Sequence, residues 1–432
     1  MKNGKYVFYI LLVIIPFTIF LPVITNDFVN LDDNIFIYEN TWFHNPQISD
    51  IQHFFSKFMN TPWYKPLVFI SWWADVGIFG TNPMFFHLTN LIIYIITIIL
   101  VFSSFKKILL HTGCKYHNVL IISFFIALFY ALHPMKAESV AWATERKDML
   151  AGLFFFSGLY SYLLYIERKK MHLSVITGFL FLLGLLSKSI VFVFPLILFL
   201  VDFLYKRKLD LLLFKEKIPV LLIWILSFYV YGLFDNFLQH TEGITGITGN
   251  EIIQFQVNST EHHFYTMIFR FFVSSYRIIL LLIRLILPMN LSVAYPVPEF
   301  ANTGEYTFSL IFSLIIVLTL LFIAIFFAKK YRFITFGIFF FIISLLPVLA
   351  MPGDTTSFAP DRYAFIPSFG FYLVIGYFMI QIWEKNTRSR YLMLAFTLVY
   401  ISLFSFQSFT RSHIWKNSQS LWTDVIKKYP EV

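Results

Sequence analysis

The chain has 432 residues, of which 58% are hydrophobic and only 13% are charged, and 56 of them are Phe. This composition, with a mean hydropathy of +0.72, excludes a soluble globular protein, because no soluble core could bury so much apolar surface. The single cysteine, Cys114, excludes an intrachain disulfide. The net charge is +9, and the basic residues are concentrated in the loops between apolar runs, as in a membrane protein. We therefore expect no nucleic-acid partner.

Eleven apolar runs follow one another along the chain, each close to the ~20 residues that a membrane span needs or somewhat shorter. They lie at about 6–24, 85–105, 118–132, 149–166, 173–187, 190–205, 219–234, 307–327, 333–350, 364–383 and 391–409. The first run is too long for a signal peptide and lacks a small-residue cleavage site, so we interpret it as a retained anchor. The predicted fold class is an all-α polytopic membrane protein with about eleven transmembrane helices.

The distribution of basic residues predicts the orientation of these spans. The N-terminus and alternate loops together carry 19 of the 33 Lys and Arg residues but only 5 of the 24 Asp and Glu residues. The positive-inside rule therefore puts the N-terminus in the cytoplasm, and the first long loop, about 25–84, and the C-terminus outside. The membrane would be the inner membrane in a bacterium, or that of the endoplasmic reticulum in a eukaryote.

The stretch 264–287 is also long and apolar, but it carries Arg270, Arg277 and Arg284 at a seven-residue repeat that stacks them on one helical face. If this stretch crossed the bilayer, every later loop would invert and Lys329 and Lys330 would face outward. We interpret it as a helix along the outer surface, with its arginines toward headgroups or a phosphate. The alternative is a twelfth span whose arginines face the bundle interior.

The first outer loop begins with FVNLDDNIFIYEN (28–40), in which Asp32 and Asp33 emerge at the membrane surface. Two adjacent carboxylates repel each other, and partial desolvation raises the free-energy cost of ionising both, so one of them is a candidate proton acceptor. The alternative is a solvated acidic loop. Segments 54–58 and 72–79 of the same loop have the composition of amphipathic helices at the interface.

Further ionisable residues concentrate on the predicted outer face. The segment HPMKAESVAWATERKDM (133–149) is dense in them, although solvated turn residues are the alternative, and Lys188 lies in an otherwise apolar turn, where an ammonium is costly unless it meets an anion. A lipid phosphate or pyrophosphate would fit the outer cations. The candidate phosphate-binding residues are Lys65, Arg146, Lys147, Lys188, Arg277 and Arg362.

At these residues the chain resembles the membrane half of the transmembrane and tetratricopeptide-repeat-containing (TMTC) family and its bacterial relatives, within the GT-C superfamily of membrane glycosyltransferases. The resembling blocks run from near the N-terminus to the last spans. They are FVNLDDNIFIYEN (28–40), YKPLVFISWWADVGIFGTNPMFFHLTN (64–90), HPMKAESVAWATERKDM (133–149), LLGLLSKSIVFVFP (182–195), LPMNLSVAYPVP (287–298) and APDRYAFIP (359–367).

The resemblance implies an inverting transfer of one sugar from a polyprenyl-phosphate donor to a hydroxyl acceptor on the extracytoplasmic side. It maps the base or acceptor-binding group onto Asp32, with Asp33 beside it, and donor-phosphate contacts onto Lys65 and Lys188. Family members more often carry Arg where this chain has Lys65, which removes the bidentate geometry. Candidates for holding the acceptor or the sugar are His87, Glu138, Glu145, Tyr295 and Asp361.

Mannose is the sugar associated with the animal members of the family, and the residues here do not identify it independently. The expected partners are the polyprenyl-phosphate-linked sugar, an acceptor protein or glycan, and membrane lipid. No cofactor is certain, and a divalent metal stays open. The triplet Glu261-His262-His263 is interpreted as a solvated loop, because three consecutive residues cannot all converge on one ion.

The predicted domains are a GT-C transmembrane domain over 1–412 and the start of a tetratricopeptide-like segment over 413–432. A lone repeat cannot bury its apolar face, so we expect either that the sequence is a piece of a longer protein or that this member lacks an acceptor-binding module. The alternatives in function are a transferase with a lipid or glycan acceptor, a lipid-linked-sugar transporter, and a non-catalytic membrane scaffold.

Overall fold

The computed structural model describes residues 4–44, 46–56, 64–231, 260–300, 304–349 and 357–430, with side chains from residue 268 onward in the fourth range. These residues form helices and short turns, and none of them forms a β-strand, which confirms the predicted all-α fold. In chain order the α-helices are α1 Gly4–Phe20, α2 Asp50–Ser56, α3 Pro66–Phe79, α4 Pro83–Leu110, α5 Tyr116–Leu132, α6 Lys136–Ala141, α7 Arg146–Arg168, α8 Met171–Leu185, α9 Phe194–Leu204, α10 Leu211–Lys215, α11 Ile218–Val230, α12 Thr260–Ile286, α13 Phe308–Phe326, α14 Arg332–Leu349, α15 Ser368–Lys385, α16 Thr387–Ile414 and α17 Ser418–Lys428.

Six helical segments of the described chain are long and apolar enough to cross a membrane, and the protein is a polytopic membrane protein. They are Lys5–Thr25, Pro83–Leu110, Ala143–Arg168, Phe308–Phe326, Arg332–Leu349 and Thr387–Ile414. The shorter apolar helices are Pro66–Phe79, Tyr116–Leu132, Met171–Leu185, Ser189–Leu204 and Ile218–Val230. Every predicted apolar run coincides with a helix, but the count of eleven spans stays a prediction because the shorter helices do not reach span length.

Helices α14 and α15 approach each other so closely that their backbones touch. A Cβ placed on Gly337 of α14 would lie 2.6 Å from the carbonyl oxygen of Gly370 in α15, which is closer than any side chain tolerates. Small residues allow helix backbones to approach in a membrane, where packing rather than the hydrophobic effect holds helices together. Asp361 and Arg362 lie shortly before α15, close in sequence to this contact.

The first loop folds back onto the bundle through its own aromatic core. Phe43, Phe54, Phe69 and Trp72 are buried against one another, and Phe54 stacks on Phe69 with ring centroids 5.6 Å apart. Both predicted amphipathic segments overlap helices, α2 and α3, which begin before the predicted residues. The aromatic core explains why these helices form, since aromatic side chains contribute large buried area in a short segment.

A buried ionic cluster ties α7, α9, α10 and α11 together. Asp202 lies 2.9 Å from Arg207 and 2.5 Å from Lys217, and the hydroxyl of Tyr162 donates to Asp202 at 2.6 Å. Glu216 completes the cluster by pairing with Arg207. These basic residues belong to loops that the sequence assigns to the cytoplasm, so part of the predicted inside charge is neutralised in pairs.

Helix α12 covers the stretch whose orientation the sequence leaves open, and it packs against α13 and α14. The burial of its arginine side chains differs along the helix: Arg270 is exposed, whereas Arg277 is buried. The guanidinium of Arg284 donates to the carbonyl of Ala359 and stacks on the ring of Tyr295, with 3.5 Å from Cζ to the centroid. The C-terminal half of α12 is therefore held against the turn before α15, and its placement along the outer surface stays a prediction.

Candidate functional site

The two adjacent carboxylates of the first loop lie in different environments. Asp33 precedes the π-helix Asn34–Tyr38 and is fully buried. It accepts hydrogen bonds from the backbone N–H of Val29 at 3.0 Å and of Thr144 at 2.9 Å, and from the Thr144 hydroxyl. Burial raises the pKa of Asp33 to about 6, although these hydrogen bonds act to lower it. Asp33 thus ties the loop to the segment that precedes α7.

Asp32 is the accessible member of the pair. Its side chain is 29% exposed, and its Oδ2 lies 3.6 Å from the ammonium of Lys147. Burial raises the pKa of Asp32 above its ordinary value, and the positive charge of Lys147 only partly offsets this effect. A partly exposed carboxylate with a raised pKa beside a cation is suited to accept a proton.

Glu145 lies at the centre of a group of cations. It ends the 3₁₀ turn Ala143–Glu145, and its fully buried carboxylate lies 2.9 Å from Lys147, 3.6 Å from Lys188 and 3.4 Å from Nε of Arg362. Three cations from different parts of the chain would repel one another without this anion. Glu145 therefore holds together the cations that the sequence analysis predicted to meet.

Lys188 lies between α8 and the 3₁₀ turn Ser189–Val193 in an extended conformation. Its ammonium pairs with the carboxylate of Asp148, which also accepts a hydrogen bond from the Ser139 hydroxyl at 3.3 Å. Burial acts to lower the pKa of Lys188, but Asp148 and Glu145 outweigh it and the net shift is upward. The ammonium is thus charged and paired internally with Asp148.

Arg362 lies in the turn before α15 and is the third cation that contacts Glu145. Its guanidinium lies 2.6 Å from Glu138, and its backbone N–H donates to the same carboxylate at 3.0 Å. Burial raises the pKa of Glu138, and the charge of Arg362 acts against this shift. Two contacts to one carboxylate fix both the backbone and the side chain of Arg362.

Lys65 borders a small cavity beside Asp32. The cavity is lined by Phe36, Lys65, Phe69, Trp72, Thr144 and Lys147. The ammonium lies 5.9 Å from the centroid of the Phe36 ring. Burial, and then the charges of Lys147 and Lys188, lower the pKa of Lys65 to about 7. The backbone N–H of Leu67 donates to the carbonyl of Leu186 at 3.2 Å, so the segments that carry Lys65 and Lys188 lie together although they are distant in sequence.

Asp361 and Tyr295 form a neighbouring cluster instead of joining the first. Asp361 is fully buried, accepts a hydrogen bond from the Tyr295 hydroxyl at 2.9 Å, and lies 3.6 Å from both Arg284 and Arg411. Burial raises the pKa of Asp361 while the two arginines act to lower it. Because Arg362 follows directly, this cluster anchors the backbone from which Arg362 reaches the site.

Arg146 was predicted to bind phosphate, but the structure gives its guanidinium a full set of internal partners. It is fully buried, lies 2.7 Å from Asp75 of α3, and donates to the carbonyl of Phe86 at 2.9 Å and to the amide oxygen of Asn90. Its role in the described chain is to join α3, α4 and α7, and we leave it out of the proposed phosphate site.

Two further predicted residues are buried among other parts of the described chain. His87 is buried in α4, with only 1% of its surface exposed, so its side chain is not accessible to a sugar in this structure. Arg277 is buried on α12 and lies over the ring of Phe358, with Cζ 4.7 Å from the centroid.

Three residues of the site were not singled out from the sequence. Asp148 pairs with Lys188, Thr144 holds Asp33, and the ring of Trp142 lies 5.0 Å from the Lys147 ammonium. The sequence does hold a signal for Asp148. It lies three positions after Glu145, a candidate residue, and residues three apart on a helix share a face. Nothing in the sequence indicates the contacts of Thr144 and Trp142, which depend on loop folding.

The fold and the site define a class, an all-α polytopic membrane protein with a charged cluster at one set of helix ends. The cluster residues lie in α6, in the first turn of α7, or in the segments that follow α1 and α8 and precede α3, α7 and α15, which belong to the predicted outer loops. In the part of the chain that the structure describes, no group of three or more His, Cys, Asp or Glu side chains is arranged to hold a metal ion.

The chain is similar in sequence to proteins named protein O-mannosyl-transferases. It is 32% identical to TMTC1 of Mus musculus over 100 residues, which cover 23% of this chain and 10% of that protein. It is 35% identical to human TMTC2 over 100 residues, which cover 23% of this chain and 11% of the relative. It is 22% identical to F38B6.6 of Caenorhabditis elegans over 367 residues, 85% of this chain and 49% of that protein.

The matches thus cover about half the length of the worm relative and about a tenth of the mammalian ones. No protein-family model and no solved structure matches the chain. The similarity to TMTC proteins agrees with the resemblance noted in the sequence, and it is strongest over a segment of 100 residues.

Proposed function

We propose that the protein is a glycosyltransferase that moves a single hexose, mannose by analogy with the names of its relatives, from a polyprenyl-phosphate donor to a protein Ser or Thr hydroxyl on the extracytoplasmic face. The observation that carries this proposal is the partly exposed carboxylate of Asp32, 3.6 Å from Lys147 at the edge of a buried group of cations. The names of the sequence relatives support the reaction class.

The proposed step is an inverting displacement at the anomeric carbon. Asp32 accepts the proton of the acceptor hydroxyl while the hydroxyl oxygen forms its bond to that carbon. The bond between the carbon and the phosphate oxygen breaks, and its electron pair leaves with the phosphate. Lys147, Lys65 and Arg362 lie where they can balance the charge of the leaving phosphate.

The charge balance of the site favours an anionic ligand. Four cations face four carboxylates, and burial shifts the pKa of both Glu138 and Lys65 to about 7, so below that pH Glu138 carries a proton while Lys65 stays charged. Each carboxylate that carries a proton leaves the group with a net positive charge, which a phosphate would neutralise through charge-assisted contacts. The four cations are Lys65, Lys147, Lys188 and Arg362, and the four carboxylates are Asp32, Glu138, Glu145 and Asp148.

Reconstituted protein tests the proposal directly. Vesicles containing the protein would receive a radiolabelled polyprenyl-phosphate mannose and a Ser/Thr-rich acceptor peptide, and transfer to the peptide would be counted. We expect label on the peptide with wild-type protein and none with Asp32→Asn. Glu39→Gln is the matched control, because Glu39 is exposed in the same loop.

Other outcomes of this assay would contradict the proposal. Label recovered only in lipid or in free glycan would indicate the alternative transferase with a different acceptor. Label that moves across the vesicle membrane without a new glycosidic bond would indicate a transporter. Equal transfer by wild type and Asp32→Asn would remove Asp32 from the mechanism.

A further inference from the structure

We propose that the C-terminal segment, residues 411–429, positions both the base and the cations of the candidate site, and that Ser418 and Trp415 are positioning residues. This inference rests on the proposed function for its kinetic consequences. Its structural basis is a set of contacts between the C-terminal segment and three separate parts of the site.

The first contact is with residues 26–30, which lead directly into Asp32. The backbone N–H of Asn30 donates to Oγ of Ser418 at 2.7 Å, and the N–H of Asp27 donates to the carbonyl of Lys416 at 2.8 Å. The amide of Asn26 donates to the carbonyl of Ser412 at 3.0 Å. Three hydrogen bonds in five residues hold the loop to a segment that is more than 380 positions away in sequence.

Ser418 is itself held in place by the start of α17. The side chain of Asn417 accepts from the backbone N–H of Ser420 at 2.9 Å, and the Ser420 hydroxyl accepts from the N–H of Asn417 at 3.1 Å. Such reciprocal capping fixes the first turn of a helix. The indole N–H of Trp422 adds a contact to the carbonyl of Asn30 at 3.4 Å. A rigid turn thus determines where Asn30, and with it Asp32, lies.

The second contact reaches the cations through two tryptophans. Trp415 is buried and stacks on Trp142, with ring centroids 5.7 Å apart and 27° between the planes. The ring of Trp142 in turn lies 5.0 Å from the Lys147 ammonium and 5.5 Å from Cζ of Arg362. Aromatic faces attract cations at these distances, so the position of the Trp142 ring influences both.

The third contact anchors the backbone that precedes Arg362. Arg411 lies 3.6 Å from Asp361, and Lys428 donates to the carbonyl of Leu291 at 2.7 Å. The ring of Tyr429 packs on Tyr295, which holds Asp361. The C-terminal segment therefore contacts the elements that carry Asp32, Lys147 and Arg362.

The two positioning residues act on different sides of the reaction, so their variants should differ in kinetics. Ser418→Ala removes the acceptor of the Asn30 N–H and should lower kcat about fivefold with the KM for donor unchanged, because it loosens the base. Trp415→Leu should raise the KM for donor about fivefold, because it loosens the cations, and Trp415→Phe should restore most of the loss. Ser405→Ala is the matched control, since the Ser405 hydroxyl donates within α16, to the carbonyl of Ile401.

Hydrogen exchange of the loop decides the inference even without a transfer assay. In Ser418→Ala we expect faster exchange of the amides between residues 27 and 33, with exchange elsewhere and in Ser405→Ala as in wild type. Exchange and kcat that are equal in the two serine variants would overturn the inference. If the wild-type protein transfers no sugar but the loop still exchanges faster in Ser418→Ala, the positioning stands and the proposed function fails.

Discussion

Adjacent residues in this site have opposite roles because the backbone turns between them. Asp33 directs its carboxylate inward to Val29 and Thr144, whereas Asp32 directs its own toward Lys147 and partly toward solvent. Both residues are Asp, so residue type alone does not distinguish them. Their difference in burial separates a residue that holds the loop from a residue that can react.

We expect Asp32→Asn to abolish transfer with little change in melting temperature, because an amide cannot accept a proton and the side chain is partly exposed. Asp33→Asn should instead lower the free energy of unfolding by about 1–3 kcal/mol, the usual cost of disturbing a buried hydrogen-bonded group. Thermal unfolding in detergent and transfer assays on both variants check this. The reverse pattern would exchange the roles of the two residues.

The dependence of transfer on pH follows from the pKa shifts of two residues. Asp32 must be ionised to act as the base, so transfer falls as the pH drops through its raised pKa. Lys65 must be protonated to attract phosphate, so donor affinity falls as the pH rises above about 7. Lys65→Arg should remove the alkaline loss and leave the acid loss, because Arg stays protonated. An alkaline loss that persists in Lys65→Arg would contradict this assignment.

Replacing Lys65 and Lys188 by Ala should have different effects on the free energy of unfolding. Lys65→Ala should weaken donor binding by about tenfold with little loss of stability. Lys188→Ala should weaken donor binding and also lower the free energy of unfolding by about 3–5 kcal/mol, because it leaves the buried carboxylate of Asp148 uncompensated. Adding Asp148→Asn to Lys188→Ala should recover part of that stability. Unchanged stability of Lys188→Ala would contradict the internal pair.

At the scale of elements, backbone contact with α14 holds the first turn of α15, the helix that follows Arg362. The helices pack through Gly337 and Gly370, where any side chain would meet the opposite backbone. The site therefore depends on residues far from the charged cluster. A change in the crossing of these helices would move Arg362 relative to Glu145.

We expect Gly337→Ala to lower the melting temperature and the transfer rate together, because its Cβ would lie 2.6 Å from the Gly370 carbonyl oxygen. Overpacking of this kind usually costs about 1–3 kcal/mol. Gly77→Ala is the matched control, since a Cβ there would meet nothing within 4 Å. Differential scanning fluorimetry in detergent compares the two variants, and equal melting temperatures would show that the close contact does not limit stability.

At the scale of the whole molecule, the two ionic clusters lie at opposite ends of α7. One surrounds Glu145 at its start, and the other surrounds Tyr162 near its end. A helix that runs from Arg146 to Arg168 is about 34 Å long, which matches the thickness of a bilayer. The arrangement favours a site on one face of the membrane and an ionic anchor on the other.

Cysteine labelling tests the orientation of the chain in a Cys114→Ser background. Ile48→Cys should react with an impermeant maleimide from outside, and Leu209→Cys only after the cytoplasmic side is opened, because both residues are about 80% exposed. Native Cys114 is a poor probe, since burial and its contact with Glu384 raise the pKa of the thiol to about 11. The predicted topology also places Thr355 outside the membrane, but this position lies outside the described residues. Reaction of both cysteines from one side would contradict the predicted topology.

The sequence predicted the class of fold, an all-α polytopic membrane protein. Apolar runs identify helices because a membrane requires long hydrophobic segments, and all eleven runs coincide with helices. The grouping of Lys147, Lys188 and Arg362 was also predicted, and the structure brings them to Glu145. Charges in apolar surroundings indicate a site because they are costly unless they are paired.

The sequence by itself determined that the chain is an all-α membrane protein, because hydropathy and charge are properties of residues. It also predicted which residues of the expected outer loops could bear chemistry. Only the tertiary structure decided that Asp32 rather than Asp33 is accessible, that Arg146 is used internally, and that the C-terminal segment contacts the loop before Asp32. These facts depend on which side chains meet across long stretches of chain. Such contacts follow from packing, which local composition does not encode.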